Sequence, residues 1–115
     1  MRTREVGNIT IVTPKGYLTG GDETEELEQA IKALIEKGNK NLIINLAETQ
    51  HLNSTALGVL ISAHSNYVRR GGQMKLCSVD KRIENIFVIT KLSLVFDVYP
   101  SEELAIASFA ERESV

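Results

Sequence analysis

The residues best suited to chemistry stand together at Asn53-Ser54-Thr55, directly before a long apolar run. Each of these residue types is a good helix N-cap, because its side-chain oxygen can accept a hydrogen bond from a backbone N–H group that the helix leaves unpaired. A cap needs only one of the three. A hydroxyl group that remains at a helix amino terminus is also where an added phosphate would meet unpaired N–H groups and the positive end of the helix dipole. The segment therefore indicates a helix cap beside a candidate phosphoacceptor.

Other reactive side chains are few, and they are not spaced for catalysis or metal binding. Cys77 is the single cysteine, and with only His51 and His64 beside it the chain has neither CxxC nor HExxH spacing. We predict Cys77 as a small core residue, His51 as an exposed loop residue and His64 as a partly buried or surface residue. No nucleophile, base and orienting acid can be assembled from the sequence. We therefore expect no catalytic residue, no bound metal and no cofactor.

Two glycine pairs could in principle approach a phosphate group. Gly20-Gly21 and Gly71-Gly72 lack the GxGxxG and GxxxxGK contexts of nucleotide-binding loops. We therefore predict a turn at the first pair and the end of a helix at the second.

The composition is that of a globular domain. The chain has 115 residues, of which 43% are hydrophobic and 24% charged, and we expect one domain over residues 1–115. A net charge of -2 and the lack of a basic run longer than Arg69-Arg70 argue against a nucleic-acid partner. No window approaches the ~18 apolar residues of a membrane span, and the start of the chain lacks the apolar core of a signal peptide. We expect a cytoplasmic protein with no direct membrane insertion.

Hydrophobic periodicity divides the chain into alternating strands and helices. Short apolar alternations near the amino terminus predict two or three short strands at a sheet edge, and an apolar run bounded by polar residues predicts a strand covered on both faces. Apolar residues at helical spacing predict three helices, the first two of which are followed by glycine, and Pro100-Ser101 before two glutamates predicts the start of a fourth. The predicted strands are 5–13 (broken at 7–8), 17–18, 41–46, 74–79 and 94–98, and the predicted helices are 24–37, 55–70, 83–90 and 101–112.

This alternation predicts an α/β fold with a mostly parallel or mixed sheet of four to five strands and about four helices. Ligand and switch sites of such sheets lie at the carboxyl ends of the strands. The connection over 47–53 leads from one of these ends to the helix over 55–70. We therefore expect Ser54 to be at least partly exposed, whereas the apolar face of the helix should bury one or more of Leu57, Leu60 and Ile61.

The same segment resembles a known protein family. The sequence HLNSTALGVL, after the strand NLIINL and an earlier GYL turn before an acidic helix, is similar to the STAS domain, and above all to the bacterial anti-sigma-factor antagonists. The element order agrees over nearly the whole chain, but the specific part is Asn53 to Gly58. In that family the usual sequence is Asp-Ser-Ser/Thr-Gly/Ala-Leu-Gly. The resemblance implies that Ser54 is the phosphoacceptor and Thr55 a possible second one, with Ala56 as the small residue before Leu57-Gly58.

Two positions depart from the family pattern. Asn53 replaces the Asp that usually precedes the acceptor, which keeps the capping oxygen and removes the charge. Thr19 stands where relatives commonly have an acid after a Gly-x-Leu turn. Asp22 supplies that carboxylate if Gly20-Gly21 is a local insertion.

The resemblance implies a regulatory binding protein that is not an enzyme. Its partner would be both an anti-sigma factor and a serine protein kinase, and phosphorylation of Ser54 would end the contact. A serine phosphatase would be a further partner that resets the switch. The implied partner-binding residues are Asn53, Ser54, Thr55, Ala56, Gly58, Thr19 and Asp22.

Two alternatives stay open. One is a STAS scaffold that is not phosphorylated, such as a stressosome-like component or a subunit of a lipid-transport complex, and the loss of the two acidic positions favours it. The other is an enzyme or a phospho-aspartate receiver on a doubly wound sheet. A receiver needs an acceptor carboxylate at the end of a central strand, whereas the run 41–46 leads into Ala47.

Overall fold

The computed structural model describes the backbone of residues 1–113 and the side chains of residues 1–110. The strands are β1 (Arg2–Val6), β2 (Ile9–Thr13), β3 (Gly16–Leu18), β4 (Asn41–Asn45), β5 (Thr49–Leu52), β6 (Gln73–Cys77) and β7 (Asp97–Tyr99). The helices are α1 (Asp22–Glu36), α2 (Ser54–Arg69), α3 (Lys81–Ile89) and α4 (Glu102–Glu113), with a 3-10 turn at Leu92–Leu94.

Five strands form a mixed sheet in the order β1-β2-β4-β6-β7. β1 runs antiparallel to β2, and the remaining neighbours are parallel. β3 and β5 form a separate parallel pair. The predicted α/β architecture is confirmed, with five strands in the main sheet and four helices in the described part of the chain.

Helices cover both faces of the main sheet. Alternate residues of a strand point to opposite faces, and β4 divides accordingly. Leu42 and Ile44 pack with apolar residues of α1, α2 and α3, whereas Ile43 packs with Ala105 and Phe109 of α4. This double cover explains why β4 is apolar at successive positions, as parallel strands with helices on both sides usually are.

Two parts of the sequence were predicted incorrectly. Residues 49–52, which we expected in a connection, form β5, because their partner β3 lies far away in sequence and leaves no local signal. The apolar run 94–98 was expected to be a strand, but only its last two residues enter β7. Leu94 and Val95 instead close turns through N–H bonds to the carbonyl groups of Lys91 and Leu92, and their side chains are exposed.

A polar network joins α2 to the loop after α1 and to β2. The Tyr67 hydroxyl donates to Asn39 Oδ1 at 2.8 Å, and Asn39 Nδ2 donates to Thr10 Oγ1 at 3.0 Å. Tyr67 is 1% exposed. Burial raises its pKa to about 12, against a smaller opposite effect of the Arg70 charge.

The opposite face of the sheet buries two reactive side chains. Cys77 is fully buried, as predicted, and burial raises the pKa of its thiol, so the thiol stays protonated. Lys75 lies in the middle of β6, and its Nζ is 4.8 Å from the centroid of the Phe109 ring and 5.2 Å from that of Tyr99. These cation–π contacts offset part of the cost of burying the ammonium group.

Candidate functional site

The small parallel sheet brings two distant segments to the start of α2. Leu18 of β3 pairs with Leu52 of β5, and both side chains are buried in the core. The Asn53 N–H donates to the Leu18 carbonyl oxygen at 3.1 Å. Thr19 and Asn53 directly follow these paired residues, so the register places them side by side.

Asn53 is the N-cap of α2. Its Oδ1 accepts a hydrogen bond from the Ala56 N–H at 3.0 Å, and its carbonyl oxygen accepts from the Leu57 N–H at 2.9 Å. One member of the Asn-Ser-Thr segment therefore satisfies the capping requirement, as the sequence predicts. The hydroxyl groups of Ser54 and Thr55 are not needed for this task.

Ser54 occupies the first helical position of α2, and its side chain is exposed as predicted. In the described residues, no hydrogen-bond acceptor is found for the Ser54 or Thr55 N–H groups. These groups lie at the positive end of the helix dipole, where an anion is stabilised. An added phosphate on Ser54 could therefore be accommodated without unfolding the helix.

The turn between β3 and α1 lies against the second hydroxyl residue. Gly20 has φ +94, and a Cβ built on it would lie 3.5 Å from Thr55 Cγ2. The Gly20 N–H donates to Thr24 Oγ1 at 2.9 Å, which fixes the turn to the first turn of α1. Gly20-Gly21 is thus a turn, as predicted, and it packs beside Thr55.

The remaining residues of the predicted partner-binding set differ in exposure. Thr19, Asp22 and Gly58 are exposed. Ala56 is fully buried, so it packs α2 onto the core and presents no side-chain surface to a partner. A Cβ built on Gly58 meets no atom within 4 Å, which means that nothing within the described chain requires glycine at this position.

The surface beside the site is acidic. Asp22 is the first residue of α1 and lines an open depression of about 730 Å³, and the other charged groups in its lining are Glu23, Glu26, Glu48, Lys15 and the Met1 amino group. Four acidic groups therefore face two basic ones, so the depression is acidic on balance.

An aromatic pair on the small sheet extends the exposed surface. Tyr17 of β3 is 61% exposed, and its ring centroid is 6.4 Å from that of His51 on β5. His51 is exposed as predicted, but on a strand instead of a loop. Tyr17 was not among the predicted site residues, because only the long-range pairing of β3 with β5 brings it beside the start of α2.

His64 lies ten residues beyond Ser54 on α2. It is partly buried, as predicted, and its ring makes an edge contact with Phe96 at a centroid distance of 5.6 Å. Its Nδ1 is buried and has no hydrogen-bond partner in the described residues.

A metal centre is not apparent in the described part of the chain. There, no three or more His, Cys, Asp or Glu residues are grouped so that they could hold a metal ion. Over the same residues, none of the helices combines the length and apolar character needed to cross a membrane.

The fold and the capped helix at the end of β5 define an α/β domain with an exposed hydroxyl residue at a helix amino terminus. The family model of the STAS domain matches residues 1–105, and the chain belongs to this family. It is 26% identical over 105 residues to BtrV of Bordetella bronchiseptica, described as a candidate anti-sigma factor antagonist, covering 91% of this chain and 90% of that protein.

Two further proteins agree with this assignment. The anti-sigma-B factor antagonist of Bacillus subtilis is 30% identical over 77 residues, which cover 67% of this chain and 70% of that protein. The structure of phosphorylated SpoIIAA from Bacillus, a cell fate determinant, has a TM-score of 0.75 at 17% identity and covers 94% of this chain and 97% of that one. The relatives named as antagonists of anti-sigma factors are regulatory binding proteins by that name, not enzymes.

Proposed function

We propose that this protein is an anti-sigma factor antagonist whose partner is an anti-sigma factor with serine kinase activity. The unmodified domain binds this partner through the start of α2 and the adjoining turn after β3, and the bound sigma factor is released. Phosphorylation of Ser54 by the same partner then ends the contact. A serine phosphatase returns the domain to its binding state.

The observation that carries the proposal is the exposed Ser54 side chain beside a cap that Asn53 already supplies. A kinase active site needs access to the hydroxyl group, and the fold must tolerate the product. Two features support these conditions at Ser54: its side chain is exposed, and an added charge would lie at the N-terminal end of α2. The likeness to a SpoIIAA structure in its phosphorylated form supports the same assignment.

The proposed release depends on charge. A phosphate on Ser54 adds about -1.5 to -2 charges at the start of α2. An interface built for a neutral hydroxyl would have to bury this group without a cation to pair with it. The partner therefore binds the unmodified domain more tightly than the phosphorylated one.

The direct test is incubation of the domain with the serine-kinase anti-sigma factors of the same genome and ATP, followed by mapping of the modified residue by mass spectrometry. We expect one phosphate on Ser54. Ser54→Ala should abolish labelling, whereas Ser65→Ala, at another exposed serine of α2, should leave it unchanged. Labelling of Ser65 or of unfolded protein alone would contradict the proposal.

A second candidate function is a scaffold that binds partners without being phosphorylated. The observation that favours it is the loss of two carboxylates, with Asn53 and Thr19 at positions that are usually acidic in the family. A partner that binds the domain with equal affinity before and after ATP treatment, with no phosphate on Ser54 or Thr55, would support the scaffold.

A further inference from the structure

The surface richest in exposed apolar residues lies away from Ser54. In the described residues, nine large apolar side chains are exposed, and five of them belong to the segment 88–98: Val88, Ile89, Leu94, Val95 and Val98. Val88 is 58% and Leu94 83% exposed. Clusters of this kind on a small domain often mark interaction surfaces.

This segment borders a groove between α3 and β7. The groove has a volume of about 720 Å³, within the range of ligand-binding clefts. Its lining includes the buried rings of Phe87 and Phe96, whose centroids are 5.7 Å apart, together with Val88 and Val98. An apolar side chain of a partner could therefore be buried against two aromatic rings.

One side of the groove is an open strand edge. β7 ends the sheet and pairs with β6 alone in the described residues. The Tyr99 carbonyl accepts from the Ser78 N–H at 3.0 Å, so Tyr99 directs its backbone groups towards β6. Because successive residues of a strand alternate in this respect, Val98 directs its N–H and carbonyl groups towards the open edge.

The charge of the groove indicates which occupant it fits. Its two charged lining residues, Glu84 and Asp97, are both acidic. A second copy of this chain would bring the same two carboxylates to the edge and would be repelled, whereas a basic segment would be attracted. The groove therefore fits an extended segment that carries lysine or arginine next to an apolar residue.

We propose that the edge of β7 is a second docking site, where an extended basic and apolar segment of a partner protein adds a strand to the sheet. Its backbone pairs with Val98, and an apolar side chain enters the groove above Phe87 and Phe96. Strand addition of this kind obtains affinity from backbone hydrogen bonds and specificity from the side-chain pocket. The site is separate from Ser54 and does not depend on phosphorylation.

The test uses a capped synthetic peptide in which Leu alternates with Lys, with a Leu and Glu peptide as the matched control. Binding is followed by calorimetry, and the contact region by NMR of the labelled domain. We expect the Lys peptide to bind, to shift the amide signals of residues 84–99 and to slow hydrogen exchange at the Val98 amide. The Glu peptide should bind at least about tenfold more weakly.

Variants of the domain distinguish strand addition from nonspecific binding of the peptide. Val98→Pro removes the outward N–H at an edge position where proline is tolerated, and it should weaken binding at least about tenfold. Leu104→Lys, at an exposed apolar residue of α4, should change the affinity by less than about twofold. If Val98→Pro does not fold, the test uses the unaltered domain and a Lys peptide that is N-methylated at alternate backbone nitrogens. This peptide should not bind, because it lacks the N–H groups that strand addition requires.

Three results would overturn the proposal. The first is no binding of the Lys peptide below about 1 mM. The second is binding that shifts only residues 22–26 and 48–50, at the acidic depression. The third is a dimer of the free domain in sedimentation that Val98→Pro converts to a monomer, because the edge would then serve a second copy. None of these results bears on Ser54, whose phosphorylation is measured separately.

Discussion

At the scale of single residues, the proposed switch depends on the different roles of Asn53 and Ser54. Asn53 caps α2, so the exposed Ser54 hydroxyl at the first helical position is not needed as the cap. The sequence identifies this segment, because few residue types cap a helix well. Which of the three residues is the cap could not be predicted, since the choice depends on where the backbone leaves the extended conformation.

Replacing the cap by its charged counterpart tests what the missing carboxylate does. Asn53→Asp should keep the hydrogen bond to the Ala56 N–H and change the free energy of unfolding by less than ~0.5 kcal/mol. If the carboxylate assists the kinase, the phosphorylation rate of Ser54 should rise. Urea unfolding and single-turnover phosphorylation measure the two quantities. An unchanged or lower rate would show that the carboxylate does not limit phosphorylation.

Gly58 offers a test in which stability and binding move in opposite directions. It lies in the middle of α2 with open space around its Cα, so Gly58→Ala should stabilise the domain by about 0.5–1 kcal/mol through helix propensity. If a partner approaches the helix backbone here, the same methyl group should weaken binding. Thermal melts and calorimetry on one sample measure both effects. Stabilisation with unchanged affinity would remove Gly58 from the proposed interface.

At the scale of elements, local sequence patterns predict the helices, whereas a strand that depends on long-range pairing could not be predicted. The four helices follow from local patterns, namely apolar spacing in α1, α2 and α3, glycine after α1 and α2, and Pro100-Ser101 before α4. β5 could not be predicted, because it is a four-residue strand that alternates little and pairs with residues over 30 positions earlier. The prediction of a strand over 94–98 was wrong for a different reason. Three of the four apolar residues in this run, Leu94, Val95 and Val98, are exposed, and periodicity alone does not distinguish a surface cluster from a buried strand.

The hydrogen-bond network of Tyr67, Asn39 and Thr10 predicts how the stability of the domain changes at alkaline pH. The pKa of Tyr67 is about 12 in the folded domain against 10.0 for an unperturbed tyrosine. The contribution of Tyr67 to the free energy of unfolding is therefore fully present below pH 10. It is lost as the pH rises from 10 towards 12, because the unfolded state releases its proton first. The loss should reach roughly 2–3 kcal/mol, at about 1.4 kcal/mol for each pH unit.

Denaturant unfolding between pH 8 and 12 measures this loss, with Tyr67→Phe as the control. The variant lacks the titrating hydroxyl, so its stability should decline less steeply above pH 10. Parallel declines in the two proteins would show that Tyr67 does not contribute, whatever the absolute stability of the variant.

At the scale of the whole molecule, the fold separates a packed framework from two exposed surfaces. Helices on both faces bury the central strands of the sheet, whereas the start of α2 and the edge of β7 lie at the surface. The proposed switch requires that phosphorylation act at the first surface and leave the framework intact. A phosphate at the amino terminus of α2 should stabilise the isolated domain or leave it nearly unchanged, by at most about 2 kcal/mol.

The most direct test of the proposed switch compares the enzymatically phosphorylated and the unmodified domain in binding to the kinase-type anti-sigma factor. We predict that phosphorylation of Ser54 weakens binding by a factor of about 100, equivalent to ~3 kcal/mol, while the melting temperature of the isolated domain does not fall. Calorimetry and thermal melts on the same samples provide both values. Equal affinity of the two forms, or a phosphorylated domain that has lost its folded structure, would contradict the account.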